Sequence, residues 1–239
     1  MKNELISRNS ISLDRRLALM QLSDTFFPSG SFTLSHGLES LLHSDQIKSP
    51  QDFKNYLKIL LHQKVGPSDL VALRHAYQAS ANGELEGIQT ADQHLFAQSL
   101  IQDVREAQCK SGRALLMVAR STWPHSQLDW YADQIQSRQC NGIHPVVFAV
   151  VGQAAGLGSS DSLVAFLHSF VTGLCSAAIR LGLLGHLKAQ LILKEMAPEL
   201  EMVMARTVGA TLDEMWSCTP SIDIAQMQHQ QLPQRQFTN

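Results

Sequence analysis

Ten histidines and four cysteines are the residues of this 239-residue chain most able to do chemistry. A metal ion needs several ligands converging on one point, most simply at i and i+4 on a helix. No His-x-x-x-His pair occurs. His36 and His43 are seven apart, as are His168 and Cys175. Seven residues are two helical turns, about 10 Å, too far to share one ion. Cys140 and His144 have a usable spacing, but Gly142 and Pro145 interrupt the helix they would need. Scattered core or surface histidines are therefore expected in preference to a preformed metal site. The cysteines, Cys109, Cys140, Cys175 and Cys218, form no Cys-x-x-Cys pair. They suggest neither a zinc site nor a disulfide framework, and a reduced, cytoplasmic compartment fits them best.

Catalytic signatures are missing as well. The chain has no Gly-x-x-x-x-Gly-Lys-Ser/Thr phosphate loop, no dinucleotide fingerprint, no Gly-x-Ser-x-Gly elbow and no His-Glu-x-x-His helix. Its carboxylates are dispersed, and no acid/base pair follows from spacing. Two charged residues stand out by their surroundings. Glu39 lies on a predicted helix, where it is either an ordinary solvated or ion-paired acid or a polar contact to a partner or to the adjoining tail. Arg180 sits in the otherwise apolar run 166–190. A buried arginine must be paired, and a place near a helix C-terminus favours it. With 19 Lys+Arg against 21 Asp+Glu, a net charge of −2 and no long basic run, nucleic-acid binding is not expected.

The elements that must position these residues read as helices throughout. No segment sustains a period of two, so an all-α fold is expected: one compact bundle of about nine to ten helices spanning 13–218. Residues 1–12 read as a flexible N-terminus. The first helix is expected over 13–26 and the second over 35–45, with Ser35 able to cap it. Ser49-Pro50-Gln51-Asp52 is a strong start for the third helix. Gly66-Pro67 is expected to end that helix, and Asn82-Gly83 to close the fourth. A long helix is expected over 90–121, ended by Trp123-Pro124, with a short one at 126–136. Helices at 143–157, 160–184, 186–197 and 198–215 complete the body. Gly173, Ser176 and Ala177 are expected to let a neighbouring helix approach closely.

Two stretches are apolar enough to test for a membrane span. Residues 143–158 are short and punctuated by Pro145 and three glycines, and 163–187 carry His168 and Arg180. A charge at mid-bilayer costs at least about 2.5 kcal/mol, so both are read as central helices of a bundle and no membrane partner is expected. Residues 1–16 are polar, with no apolar core of a secretory leader. Residues 219–239 are rich in glutamine and poor in apolar residues, a tail that cannot form a core. Its spaced apolar residues (Ile222, Ile224, Met227, Phe237) suit a peptide that folds on binding.

Three segments carry a family resemblance. Pro28-x-Gly30-x-Phe32-x-x-Ser35-x-Gly37-Leu38-Glu39 closely resembles the signature near the start of UreF-type urease accessory proteins. Arg180-Leu-Gly-Leu-Leu-Gly185-His186 followed by Gln190 resembles the family's late-helix signature, with Leu183 in place of its proline and His186 in place of its first glutamine. Thr219-Pro220 through Met227 and His229 to Arg235-Gln-Phe237 resembles its closing segment. Leu34 departs from the family's usual tyrosine or histidine. The resemblance implies an all-α scaffold that is not an enzyme and usually forms a homodimer. It would bind the accessory protein UreD/UreH and recruit the GTPase UreG for nickel insertion into apo-urease. No tightly bound cofactor is implied, and nickel would be handled by the assembled complex. On this reading Pro28, Gly30, Phe32, Ser35, Gly37 and Glu39 shape the corner; Arg180, Gly185 and His186 support a surface beside it; and Met227, His229, Arg235 and Phe237 order when the partner binds. The alternatives from the residues alone are an all-α nickel-binding protein, whose histidines would have to converge, and an all-α enzyme with a deep pocket around Arg180.

Overall fold

The computed structural model describes residues 12–28 and 33–238. The expected flexible N-terminus therefore lies, except for Ser12, outside the described residues, as do Gly30 and Phe32 of the corner. Every regular element among the described residues is helical: α1 (Leu13–Ser23), α2 (Leu38–His43), α3 (Pro50–Leu60), α4 (Val71–Asn82), α5 (Leu85–Gln98), α6 (Gln102–Thr122), α7 (Ser126–Gln136), α8 (His144–Ala154), α9 (Ser159–Arg180), α10 (His186–Thr207) and α11 (Pro220–Gln228), with a π-helical segment at Leu61–Leu70 and short 3-10 turns near the C-terminus. The all-α bundle is thus the fold.

Helix α8 is its axis. Every residue from Pro145 to Gly152 is buried, and α4, α5, α6, α7 and α9 pack around it. Its start is held by a carboxylate from another helix. Asp92 of α5, fully buried, accepts from the backbone N–H groups of Asn141 (2.6 Å), Gly142 (3.0 Å) and Ile143 (3.0 Å) and from the Tyr131 hydroxyl (2.7 Å). Those amides precede the first turn of α8, where a negative charge also faces the positive end of the helix dipole. The 142 carbonyl crosses α6 so closely that a Cβ on Gly112 would lie 2.1 Å from it.

Several boundaries differ from the sequence reading, each for a tertiary reason. Gly66-Pro67 does not end a helix. The chain runs from α3 into α4 as one rod by widening to π geometry over Leu61–Leu70, with Pro67 inside. Gly66 is needed because a Cβ there would lie 2.7 Å from Val203 of α10. The expected 90–121 helix is two, α5 and α6, broken at Ser99-Leu100-Ile101. Conversely, 186–207 is one helix despite Pro198, which stands on its exposed side. The first helix stops at Ser23, and the second begins only at Leu38, with Gly37 rather than Ser35 at its N-cap. The α3 start is as read: Ser49 and Asp52 form a reciprocal capping box with Pro50 in the first turn.

Of the small residues expected to admit a neighbouring helix, Gly173 is not at a close approach. A Cβ on Gly173 would meet nothing within 4 Å, whereas one on Gly152 of α8 would lie 2.5 Å from the Ser162 hydroxyl of α9. One helix, α9, is long and apolar enough to cross a membrane by length and composition, and 56% of its most apolar window is buried inside the bundle.

The C-terminal segment builds no core of its own, in keeping with its composition, yet it is folded. Residues 215–238 form a strap that crosses the π-segment, turns into α11 and lies on α2. Of its spaced apolar residues, Ile222 and Phe237 face inward, and Ile224 and Met227 face outward, 54% and 55% exposed.

Candidate partner-binding surface

The three signature segments, far apart in sequence, meet at one place. Gly37 has φ +86°, the left-handed region that glycine occupies without penalty. It also sits under α11: a Cβ there would lie 3.1 Å from Gln226 Cγ and 3.2 Å from the Ile222 carbonyl. Glycine at 37 therefore answers two demands, a reversal and a close helix contact. The turn before it is anchored from α3, where the Tyr56 hydroxyl donates to the carbonyls of Ser35 (3.2 Å) and His36 (2.9 Å). Ser35 is fully buried.

Glu39, one turn later, is the centre of the arrangement. Its carboxylate is buried and accepts from the backbone N–H of Gln236 (2.7 Å) and of Phe237 (3.3 Å), and it pairs with His229 Nε2 at 2.7 Å. His229 is 1% exposed. Of the roles open to Glu39 in the sequence, contact with the tail is the one realised. The end of the strap is fixed further by the Thr238 N–H donating to the Thr33 carbonyl at 2.9 Å.

Arg180 closes the site from α9. It is exposed at the last turn of that helix rather than buried in the apolar run, and its guanidinium lies 4.1 Å from the centre of the Phe237 ring. A cation over an aromatic face contributes about 0.5–1 kcal/mol at an exposed site. Partial burial lowers the Arg180 pKa, and the nearby Glu39 charge opposes that shift.

The remaining expected site residues take no part in the hydrogen bonds of Glu39. Pro28, Arg235, Gly185, His186 and Met227 are all exposed, Gly185 as the N-cap of α10 and His186 as its first residue. Gly30 and Phe32 lie outside the described residues. In this structure the strap is packed on the chain itself, with Glu39 accepting from the Gln236 and Phe237 amides and pairing with His229.

Sequence reasoning passed over Tyr56 and a small interior cavity of about 50 Å³ behind the corner, lined by Leu34, His36, Asp69, Gln108, Ser111 and His144 among others. Leu34, where the family usually carries a polar ring, is one wall of it. Burial, with Lys64 and His144 adding to it, holds the His36 pKa down at about 3. Burial lowers His144 to about 4. Burial raises Asp69 to about 6, against the pull of Lys64. Both imidazoles are therefore neutral at pH 7 and contribute no charge to the interior. Burial also pushes Cys109 up to about 11 and Cys140 and Cys175 to about 12, so these thiols stay protonated and inert. Among the described residues no group of three His, Cys, Asp or Glu side chains is placed to hold a metal ion.

Comparison with known proteins agrees with the geometry. The UreF family profile matches residues 47–197. A urease accessory protein UreF of Trichodesmium erythraeum is 49% identical over 95% of this chain and 98% of its own length. One from Geobacillus kaustophilus is 32% identical over 92% of this chain and 96% of its own. One from Paenarthrobacter aurescens is 29% identical over 95% and 99%. With a family profile across most of its helical body and near-full-length relatives, this chain belongs to the UreF family of urease accessory proteins.

Proposed function

We propose that this chain is a non-catalytic scaffold of urease maturation, which binds the UreD/UreH accessory protein through its corner and strap and, with it, recruits the GTPase UreG for nickel insertion into apo-urease. The observation that supports this most is the knot at Glu39. It joins the first and last signature segments, Arg180 of the middle one lies against Phe237, and the side chains of Ile224 and Met227 are exposed on the strap. Exposed apolar side chains on a held segment are available to a partner groove. The chain carries no phosphate loop, so the nucleotide chemistry falls to UreG, and nickel passes through the assembly without a tight site on this chain.

The docking of α11 is also imperfect in a way that favours exchange. Gln226, 2% exposed, has neither amide atom hydrogen-bonded, and the buried Ser40 Oγ of α2 is likewise without a partner. Each such group costs about 1–3 kcal/mol, which a partner able to shift the strap would recover. A homodimer is proposed through α1, whose outward face carries Leu13, Leu17 and Met20 at i, i+4 and i+7, 69%, 48% and 68% exposed. Co-expression with UreD/UreH, followed by size exclusion, tests the proposal. The full chain is expected to co-elute with UreD/UreH, and a chain truncated after Cys218 is expected not to. Co-elution of both would move the interface onto the helical body, and failure of both would reject the scaffold reading.

A further inference from the structure

The π-segment and the strap solve one hydrogen-bonding problem together. Pro67 has no N–H to give the carbonyl of Gln63 four residues before it. The Val71 N–H, which an α-helix would direct to the Pro67 carbonyl, goes to Ser68 instead. The strap serves both carbonyls: Cys218 N–H donates to Gln63 at 2.8 Å and Trp216 N–H to Pro67 at 3.2 Å. A third thread runs beside them. The Ser68 hydroxyl donates to Gln98 Oε1 at 3.3 Å, and Gln98 Nε2 donates to the Met215 carbonyl at 2.9 Å. Strap residues 215–218 are thus stitched along the π-segment.

The same segment forms a wall between two spaces. Asp69 lines the interior cavity with His36 and His144, and it also lines an outer cleft of about 430 Å³ together with Lys64, Leu100, Trp216 and Asp223. Beyond the stitches, the buried amide of Gln226 in the strap and the Ser40 hydroxyl of α2 have no hydrogen-bond partner.

We propose that strap and π-segment are one cooperative unit, a relay through which lifting or reseating the strap loosens residues 61–70 and so reshapes the Asp69 wall of the interior cavity. Its working parts are the two carbonyls of Gln63 and Pro67 and the two strap amides that satisfy them. A partner acting on the outside of the strap would reach the interior by this route. The relay is a property of the isolated chain, so its test needs no partner, and its failure would leave the proposed scaffold function standing.

Hydrogen exchange on the full-length chain tests it. Cys218→Pro deletes the amide that serves Gln63, while Cys218→Ala keeps it. Amides of residues 66–73 are expected to exchange at least about tenfold faster in Cys218→Pro than in the wild type or Cys218→Ala, with α6 and α8 unchanged. Equal exchange at 66–73 in all three, or a strap that opens over 222–229 while 66–73 stay protected, would overturn the relay. If Cys218→Pro does not fold, native-state exchange of the wild type in low denaturant decides. The isotherms of 66–73 and 216–229 are expected to merge into one opening reaction, and separate isotherms would overturn the proposal.

Discussion

Glu39 shows what a single side chain is asked to do here. A carboxylate that accepts two backbone amides and a histidine is bound by charge-assisted hydrogen bonds, each contributing about 1.5–3 kcal/mol. Glu39→Ala is expected to weaken the seat of the strap by about 2–4 kcal/mol. The check is faster proteolysis within 219–238 while the helical body keeps its thermal transition. The sequence reading already counted the tail among the contacts open to Glu39. It held no sign that His229 and the amides of 236 and 237 were the partners, because backbone donors leave no mark in the residue types. The interior residues give a pH dependence. His36 and His144 have folded pKa values of about 3 and 4, below their ordinary 6.5. The unfolded chain takes up those protons first, so their contribution is full above about pH 6.5 and is lost as pH falls toward 4. Asp69, raised from 3.8 to about 6, works the other way, stabilising at low pH and losing that contribution as pH rises through 6. With two histidines against one carboxyl, the Tm is expected to fall between pH 7 and 4.5, and His36→Phe is expected to flatten that fall. A Tm that rises on acidification would contradict it.

At the scale of elements, the capping box at Ser49, the stop at Asn82-Gly83 and the Trp123-Pro124 terminus were legible because each is local chemistry. The π-segment was not. Gly66-Pro67 is a helix breaker by local rule, and it is kept helical by donors from residues 216 and 218, some 150 positions away. The α5–α6 break has the converse cause: 99–101 satisfy no helix rule for breaking, and Leu100 is 86% exposed there. Glycines were legible as interruptions but not as contacts. Gly112 lies within a helix, where local reasoning gives it only a propensity cost. Its actual role is to let the 142 carbonyl pass, with a would-be Cβ at 2.1 Å. Gly112→Ala is therefore expected to destabilise by at least about 2 kcal/mol, through displacement of the turn that Asp92 holds. A Tm within a degree or two of the wild type would show that the turn can yield.

For the whole molecule, the bundle places its most apolar helix at the centre and turns apolar side chains outward on several elements, two of which bear on the proposed assembly. One is the α1 stripe of Leu13, Leu17 and Met20, continued by Phe26, 90% exposed. The other is the outside of the strap. The helical pattern of α1 was visible in the sequence, but not that it has an apolar face to spare once α9 is covered. Leu17→Arg is expected to leave the fold intact and shift sedimentation from dimer to monomer; an unchanged sedimentation coefficient would place the dimer contact elsewhere. On the proposed function the two features would be separate surfaces, one for a second copy and one for a different partner. The central claim is that the partner face is the outside of the corner and strap. Its most direct measurement is a titration of UreD/UreH against the full chain and against Met227→Asp, a change at a side chain 55% exposed and remote from the Glu39 bonds. The account predicts at least about a tenfold loss of affinity with an unchanged Tm, since one apolar contact and a buried charge are at stake. Equal affinity for the two proteins would contradict it.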